Sequence, residues 1–232
     1  MKVIIDNFLV MILLKKNLYN YPVMLKLQGR SCVIIGGGQV AARKLASLGE
    51  AGAKITAVAP EFCSLLLEEA RRYKCRLVQD VYRPSYLQGA FIVIAATDSM
   101  EVNRQVTADA PALCNNITEP ELSSFTVPSL IREGRMLFTV TTGGVPAYTR
   151  LLKSYLQQKI TPAFSEFNEF LYEQRAAVKS IPSAPRERTA FWRGVLTQEI
   201  LNLLEAGHTA EAKEKILNAV NSFRAQSQNS SR

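Results

Sequence analysis

An α/β protein is predicted, in which a parallel sheet alternating with helices gives way to a strand-paired segment and then to an all-helical carboxyl-terminal part. Three observations carry this. A short apolar run stops at three consecutive glycines and is followed at once by helical spacing; further apolar runs then alternate with helical stretches; and from Pro146 onward helical periodicity dominates.

Residues 32–35 (CVII) form the kind of short apolar run that is buried on both faces of a parallel sheet, and Gly36-Gly37-Gly38 ends it. Helical spacing follows, with Val40, Leu45 and Leu48 on one face and Arg43 and Lys44 pointing elsewhere. The turn has the Gly-x-Gly-x-x-Ala form of the dinucleotide fingerprint, carried by Gly36, Gly38 and Ala41. Gly36 permits the tight turn, Gly38 keeps no side chain between the backbone and a pyrophosphate, and Ala41 lets the helix lie close to the strand. The helix N-terminus offers free N–H groups to an anion. Gly49 and Gly52 close the helix, and residues 54–59 (KITAVA) supply the next strand, which completes a Rossmann-type strand-helix-strand unit. Beyond it stand Pro60 and Glu61. Glu61 either accepts hydrogen bonds from an adenosine ribose or only starts the next helix.

An amphipathic helix is expected over 62–74, a strand over 76–82, and a central strand over 90–96 (AFIVIAA), the most hydrophobic short run in the chain. Thr97 and Asp98 fall at its carboxyl end, where open α/β sheets bind ligands; Asp98 could equally be the N-cap of the helix through Val102, Asn103 and Val106. A strand over 111–115 follows. Residues 123–128 and 135–142 then read as paired strands with a hairpin at 132–134. Apolar stripes through Tyr148, Leu151, Leu152, Tyr155 and Leu156, and through Phe164, Phe167, Phe170 and Leu171, predict two helices. A loop at 181–185 and helices over 191–204 and 210–223 complete the chain, with the single histidine, His208, at a helix boundary. These readings divide the sequence into an extension (1–17), a nucleotide-binding domain (18–113), a strand-rich segment (114–145), a helical domain (146–224) and a polar, disordered tail (225–232). The apolar run at 8–14 is too short to span a bilayer and its basic flank lies on the wrong side for a signal peptide.

The net charge of +8 calls for polyanionic partners, but no long Lys/Arg run and no aromatic-basic interleaving marks a nucleic-acid surface. A multiply carboxylated small molecule fits the charge as well. Cys32, Cys63, Cys75 and Cys114 lack the paired spacing of zinc or redox motifs and read as free thiols of a reducing cytoplasm. With one histidine, a His-clustered metal centre is excluded.

The segments YPVMLKLQGR, VIIGGGQVAARK, AGAKITAVAPE, IAATDSMEVN, CNNITEPELSSFTVPSLI and VTTGG, in this order and spacing, resemble the precorrin-2 dehydrogenases, which include the amino-terminal module of siroheme synthase and some sirohydrochlorin ferrochelatases. The resemblance implies NAD as cofactor, precorrin-2 as a polycarboxylate tetrapyrrole substrate, oxidation to sirohydrochlorin, and a homodimer formed through the strand-rich segment; together with the cysteines, the missing nucleic-acid motifs and the short apolar run, a cytoplasmic protein with neither nucleic acid nor membrane as partner is expected. It implies pyrophosphate contacts from Gly36, Gly38, Gln39 and Val40, an adenosine side along Pro60 and Glu61, and a tetrapyrrole cleft at Asn115, Ser124, Thr141 and Thr142. The family's proposed acid/base is an aspartate where this chain has Thr118. A threonine is a poor general base near neutral pH, so the catalytic candidates are Thr118, its neighbour Glu119 and Asp98. Two other classes stand beside the dehydrogenase: a non-catalytic NAD-sensing module, and a basic nucleic-acid-binding protein that rests on charge alone.

Overall fold

The computed structural model describes residues 20–229. The extension at 1–17 with its apolar run, and the last three residues of the expected tail, lie outside the described residues. The chain forms two compact units that divide between Thr126 and Val127.

In the first unit five parallel strands, β1 (Ser31–Ile35), β2 (Lys54–Ala59), β3 (Arg76–Gln79), β4 (Ile92–Ala95) and β5 (Leu113–Asn116), lie in the order β3-β2-β1-β4-β5. Three helices connect them: α1 (Gln39–Glu50), α2 (Ser64–Arg72) and α3 (Met100–Asp109). Successive side chains of a strand point to opposite faces, and here both faces are covered. Cys32 and Ile34 pack with Ala41, Leu45 and Leu66 on one side, while Val33, Ile35 and Val93 pack with Leu87 and Val106 on the other. This double burial is why the strands read as unbroken apolar runs. Burial also pushes the Cys32 thiol up to about 11, so it serves as a small packing group.

β5 pairs with β4 in this sheet (Val93 beside Cys114, Ile94 beside Asn115), so residues 114–126 belong to the first unit and not to the following segment, as the boundary at 113 had them. Residues 123–128 form no strand. The Ser123 hydroxyl accepts from the Asn116 N–H at 2.8 Å and the Ser124 hydroxyl accepts from the Cys114 N–H at 2.8 Å, so beside one backbone bond, from the Ser124 N–H to the Cys114 carbonyl at 2.9 Å, side chains complete the pairing to β5.

The second unit opens with an antiparallel ribbon, β6 (Ser129–Glu133) and β7 (Met136–Val140). Glu133 pairs with Met136, leaving Gly134 and Arg135 as the turn; Gly134 has φ +55°, which a glycine adopts without strain. Five helices follow: α4 (Pro146–Lys159), α5 (Pro162–Lys179), α6 (Pro185–Val195), α7 (Gln198–Glu205) and α8 (Thr209–Asn229). The helix expected over 191–204 is thus two, because the chain leaves helical geometry at Leu196 and Thr197 before α7 begins. α8 continues through 225–229, which the polar composition had assigned to a disordered tail. Phe167, Val178, Ile200, Leu204, Ala212, Ile216 and Val220 make the core of this unit. His208 sits at the start of α8, its carbonyl accepting from the Ala212 N–H. No described helix is long and apolar enough to cross a membrane.

Candidate functional site

The strand order places the connections leaving β1 and β4 on opposite sides of the sheet, which opens a crevice at the carboxyl ends of these two neighbours. A cleft of about 830 Å³ lies there, walled by Gly36, Gly37 and Gly38 after β1, by Pro60, Glu61, Phe62 and Cys63 after β2, by Asp80, Val81 and Tyr82 after β3, and by Thr97, Asp98 and Ser99 after β4.

The three glycines have different tasks. Gly36 has φ +136°, and a Cβ on it would stand 2.1 Å from the Ala96 carbonyl oxygen. A Cβ on Gly37 would stand 1.8 Å from the Glu61 carbonyl oxygen, and the Gly37 carbonyl accepts from the Cys63 N–H at 2.9 Å. These two positions serve the protein's own backbone packing. A Cβ on Gly38 would meet nothing within 4 Å, so its missing side chain matters only to whatever enters the cleft. The fingerprint leaves the Gly37 position free, so spacing alone assigns it no task beyond ending the strand. Gly38 is also the N-cap of α1, with no side-chain cap and no acidic residue in the first turn. The N–H groups at the start of this helix are therefore free of any acid of the chain's own. Gln39 and Val40 are the first two residues of α1 and are not among the residues that wall the cleft. Ala41 is fully buried against the sheet.

At the end of β4, the helix cap falls on Ser99 and not on Asp98: the Ser99 hydroxyl accepts from the Val102 N–H at 3.3 Å. Asp98 is exposed in the cleft wall. Thr97 is held by a residue the sequence did not single out. Asn103, fully buried on α3, accepts from the Thr97 N–H at 3.0 Å and from its hydroxyl at 2.8 Å, and donates to the Thr97 carbonyl at 2.9 Å. On the far wall, Asp80 is engaged by the Tyr86 hydroxyl and by Arg83, and the Tyr86 hydrogen bond is the first of the causes that lower its carboxyl.

Thr118 and Glu119 form the turn after β5. The Thr118 hydroxyl donates to Asn116 Oδ1 at 2.8 Å, and the same oxygen accepts the N–H groups of Thr118 and Glu119 at 3.0 and 3.1 Å. Glu119 is neither solvated nor free. Arg104 on α3 grips its carboxylate with two hydrogen bonds, of 2.7 and 2.6 Å, and its side chain is 12% exposed. The Arg104 hydrogen bond holds the Glu119 carboxyl below the ordinary glutamate value of 4.5. A carboxyl lowered on folding stabilises the native state above its unfolded value and loses that contribution as pH falls through its folded value. Wild type should therefore melt above Glu119→Gln at neutral pH, and the gap should close below pH 4.5; a gap that persists unchanged into that range would break the assignment.

Asn115 and Ser124 are tied into the scaffold: the Asn115 amide donates to the Phe125 carbonyl at 3.1 Å, and Ser124 bonds the Cys114 backbone. Thr141 and Thr142 belong to the second unit, where the Thr142 hydroxyl bonds the Val145 carbonyl at 2.9 Å and Thr149 at 2.6 Å at the start of α4. Among the sequence candidates, Gly36, Gly38, Pro60, Glu61, Thr97 and Asp98 share the cleft wall.

Known proteins share this architecture. Residues 23–129 match the family described as putative NAD(P)-binding, and residues 163–220 match the sirohaem synthase dimerisation region. The latter falls on the helical part of the second unit, and not on the strand pair. A siroheme synthase of Methylobacillus flagellatus is 36% identical over 78% of this chain, and one of Nitrosospira multiformis is 37% identical over 83%. The matched regions are 40% and 42% of those proteins, so the chain corresponds to less than half the length of the relatives it matches. A solved structure titled SirC, precorrin-2 dehydrogenase, superposes with a TM-score of 0.70 over 84% of this chain and all of its own, at 24% identity, which establishes the shared fold.

Proposed function

This chain belongs to the family of the siroheme synthase amino-terminal module, and on that premise we propose that it is an NAD-dependent dehydrogenase that oxidises precorrin-2 to sirohydrochlorin. The observation that carries the reading is the glycine turn. Gly36 and Gly37 bring β1, β2 and β4 together, while Gly38 leaves open space before an uncapped helix N-terminus, a cradle that suits a pyrophosphate. NAD, when bound, supplies the acceptor for a hydride; the oxidation removes two hydrogens, one as that hydride and one as a proton.

The residues then have separate tasks. The N-terminus of α1 holds the pyrophosphate, and Glu61, exposed in the cleft wall after β2, accepts from the adenosine ribose hydroxyls. Asp98 is the catalytic candidate that lines the cleft, and it is the residue we assign to receive the proton. Thr118 and Glu119 lie outside the cleft wall, with the threonine's proton committed to Asn116 and the glutamate's charge to Arg104. No residue of this chain is assigned to metal insertion. The test is incubation of the purified chain with NAD and enzymatically generated precorrin-2, following reduced nicotinamide and sirohydrochlorin. Equal amounts of both are expected. NAD binding without turnover would leave a non-catalytic NAD-binding module instead.

We assign the active form as a cytoplasmic homodimer, with the excess positive charge answering the substrate's carboxylates rather than nucleic acid. The four cysteines are free, as a reducing compartment requires. α4 buries none of its residues and exposes Tyr148, Leu151 and Tyr155, the last two by 65% and 57%, beside a two-stranded ribbon of a size that is marginal alone. A second copy covering this stripe would satisfy both. Leu151→Asp should therefore leave the melting of a dilute protomer within about 0.5 kcal/mol of wild type while converting the dimer to monomer in sedimentation. An unchanged dimer would remove α4 from the interface.

A further inference from the structure

We infer that Asn103 is a positioning residue that couples the cofactor side of the cleft, at Thr97, to the turn carrying Thr118 and Glu119. The inference rests on the reading of the cleft as an NAD site. Asn103 is fully buried at the end of the first turn of α3, and its side chain uses its full hydrogen-bonding capacity. Its oxygen accepts twice, from the Thr97 N–H and hydroxyl. Its amide donates twice, to the Thr97 carbonyl at 2.9 Å and to the Thr118 hydroxyl at 3.2 Å. The orientation of this amide is fixed chemically, because a backbone N–H only donates and a carbonyl only accepts.

From Thr118 the bonds close into a ring. The Thr118 hydroxyl accepts from Asn103 and donates to Asn116 Oδ1; the Asn116 amide donates to the Thr107 hydroxyl at 3.2 Å; and that hydroxyl donates to the Asn103 carbonyl at 2.7 Å. The Thr118 hydroxyl donates once and accepts once, while the Thr107 hydroxyl donates to Asn103 and accepts from the Asn116 amide and, at 3.8 Å, from the Cys114 thiol. Asn116 is as buried as Asn103, at 1% exposure, and breaking one member leaves a partner unsatisfied away from water. Arg104, the next residue on α3, adds the grip on Glu119. One turn of helix thus holds both loops at the carboxyl edge of β4 and β5. A ligand seated on Thr97 and a displacement at Thr118 are felt through the same side chain.

A purely local role would confine the effect of Thr118 to its own turn. Thr118 does not line the cleft, and its side chain reaches Thr97 through Asn103; the other link, the backbone bond from the Ile117 N–H to the Ala95 carbonyl at 3.1 Å, does not involve the Thr118 side chain. In calorimetric titration of the full chain with NAD, Thr118→Val should weaken binding about fivefold, within the range found for residues sharing one network, and Thr118→Ser should restore it. Asn103→Ala should weaken binding at least as much, and adding Thr118→Val to it should cost nothing further. Wild-type NAD affinity in a folded Thr118→Val chain, or additive losses in the double variant, would overturn the inference. If Asn103→Ala does not fold, the Val and Ser variants at Thr118 decide alone. Failure of the wild-type chain to bind NAD would instead remove the cofactor reading, and the coupling with it.

Discussion

A Gly38→Asp chain is expected to fold and melt as wild type does, yet to bind NAD at least a hundredfold more weakly. The fold survives for two reasons. Gly38 has φ −85° and ψ −176°, an extended geometry open to any residue, and the added Cβ meets nothing within 4 Å. It is also the N-cap of α1, a position where aspartate is preferred over glycine by a few tenths of a kcal/mol, so the melting temperature should hold or rise slightly. Binding fails because the new carboxylate takes the helix N–H groups and stands against the pyrophosphate. Two unit charges about 4 Å apart repel by ~4 kcal/mol at the effective dielectric of a protein surface, more than the ~2.7 kcal/mol that a hundredfold loss requires. Gly36→Ala and Gly37→Ala should behave in the opposite way, since their Cβ atoms would fall 2.1 and 1.8 Å from backbone oxygens and the strand ends must move to admit them. Calorimetry with NAD and a thermal melt of each variant separate the three positions. Unchanged NAD affinity in Gly38→Asp would remove this turn as the cofactor site.

Why that turn was legible, and other parts were not, follows from how each is buried. β1 to β2 lies under helices on both sides, so the sequence there is an uninterrupted apolar run cut by glycine, and the strand at 54–59 was read to the residue. The β6–β7 ribbon shows the opposite case. Ile131 and Val140 are buried while Phe138 and Thr139 are exposed, so the alternation is too weak to fix a register. Serines at 123 and 124, which bond the backbone of β5 through their side chains, then look like strand residues.

The site was legible only where it is made of backbone. Glycine spacing reports directly on chain geometry, so Gly36 and Gly38 were found. Asn103, Arg104 and Asn116 were not, because a polar residue in a helix or at a strand end looks solvent-facing until its partner is brought to it, 15 residues away in sequence for Asn103 and Arg104 and 9 for Asn116. Asp98 and Ser99 were confused as cap for a simpler reason: both are good N-caps, and sequence alone does not say which enters the helix first.

Asp98→Asn is expected to lower the rate of reduced-nicotinamide formation from precorrin-2 by about a hundred- to ten-thousandfold, the range for loss of a general acid-base group. Asparagine keeps the shape and loses only the ability to hold a proton as an anion. Ser99 carries the cap of α3, so the helix and the Thr97–Asn103 bracket should stand as before and the melt should not move. Measured at saturating NAD, the loss then belongs to turnover and not to cofactor affinity. Glu119→Gln is the matched control. Its carboxylate is gripped at two points by Arg104, which keeps it ionised and makes it a reluctant base, and it does not line the cleft, so turnover should stay within about threefold of wild type. A reversal, with Glu119→Gln inactive and Asp98→Asn unaffected, would move the proton transfer to the turn after β5 and require Arg104 to release its partner when substrate binds. Equal rates in all three chains would leave a dehydrogenase that works by holding the tetrapyrrole against the nicotinamide, with the proton lost to solvent.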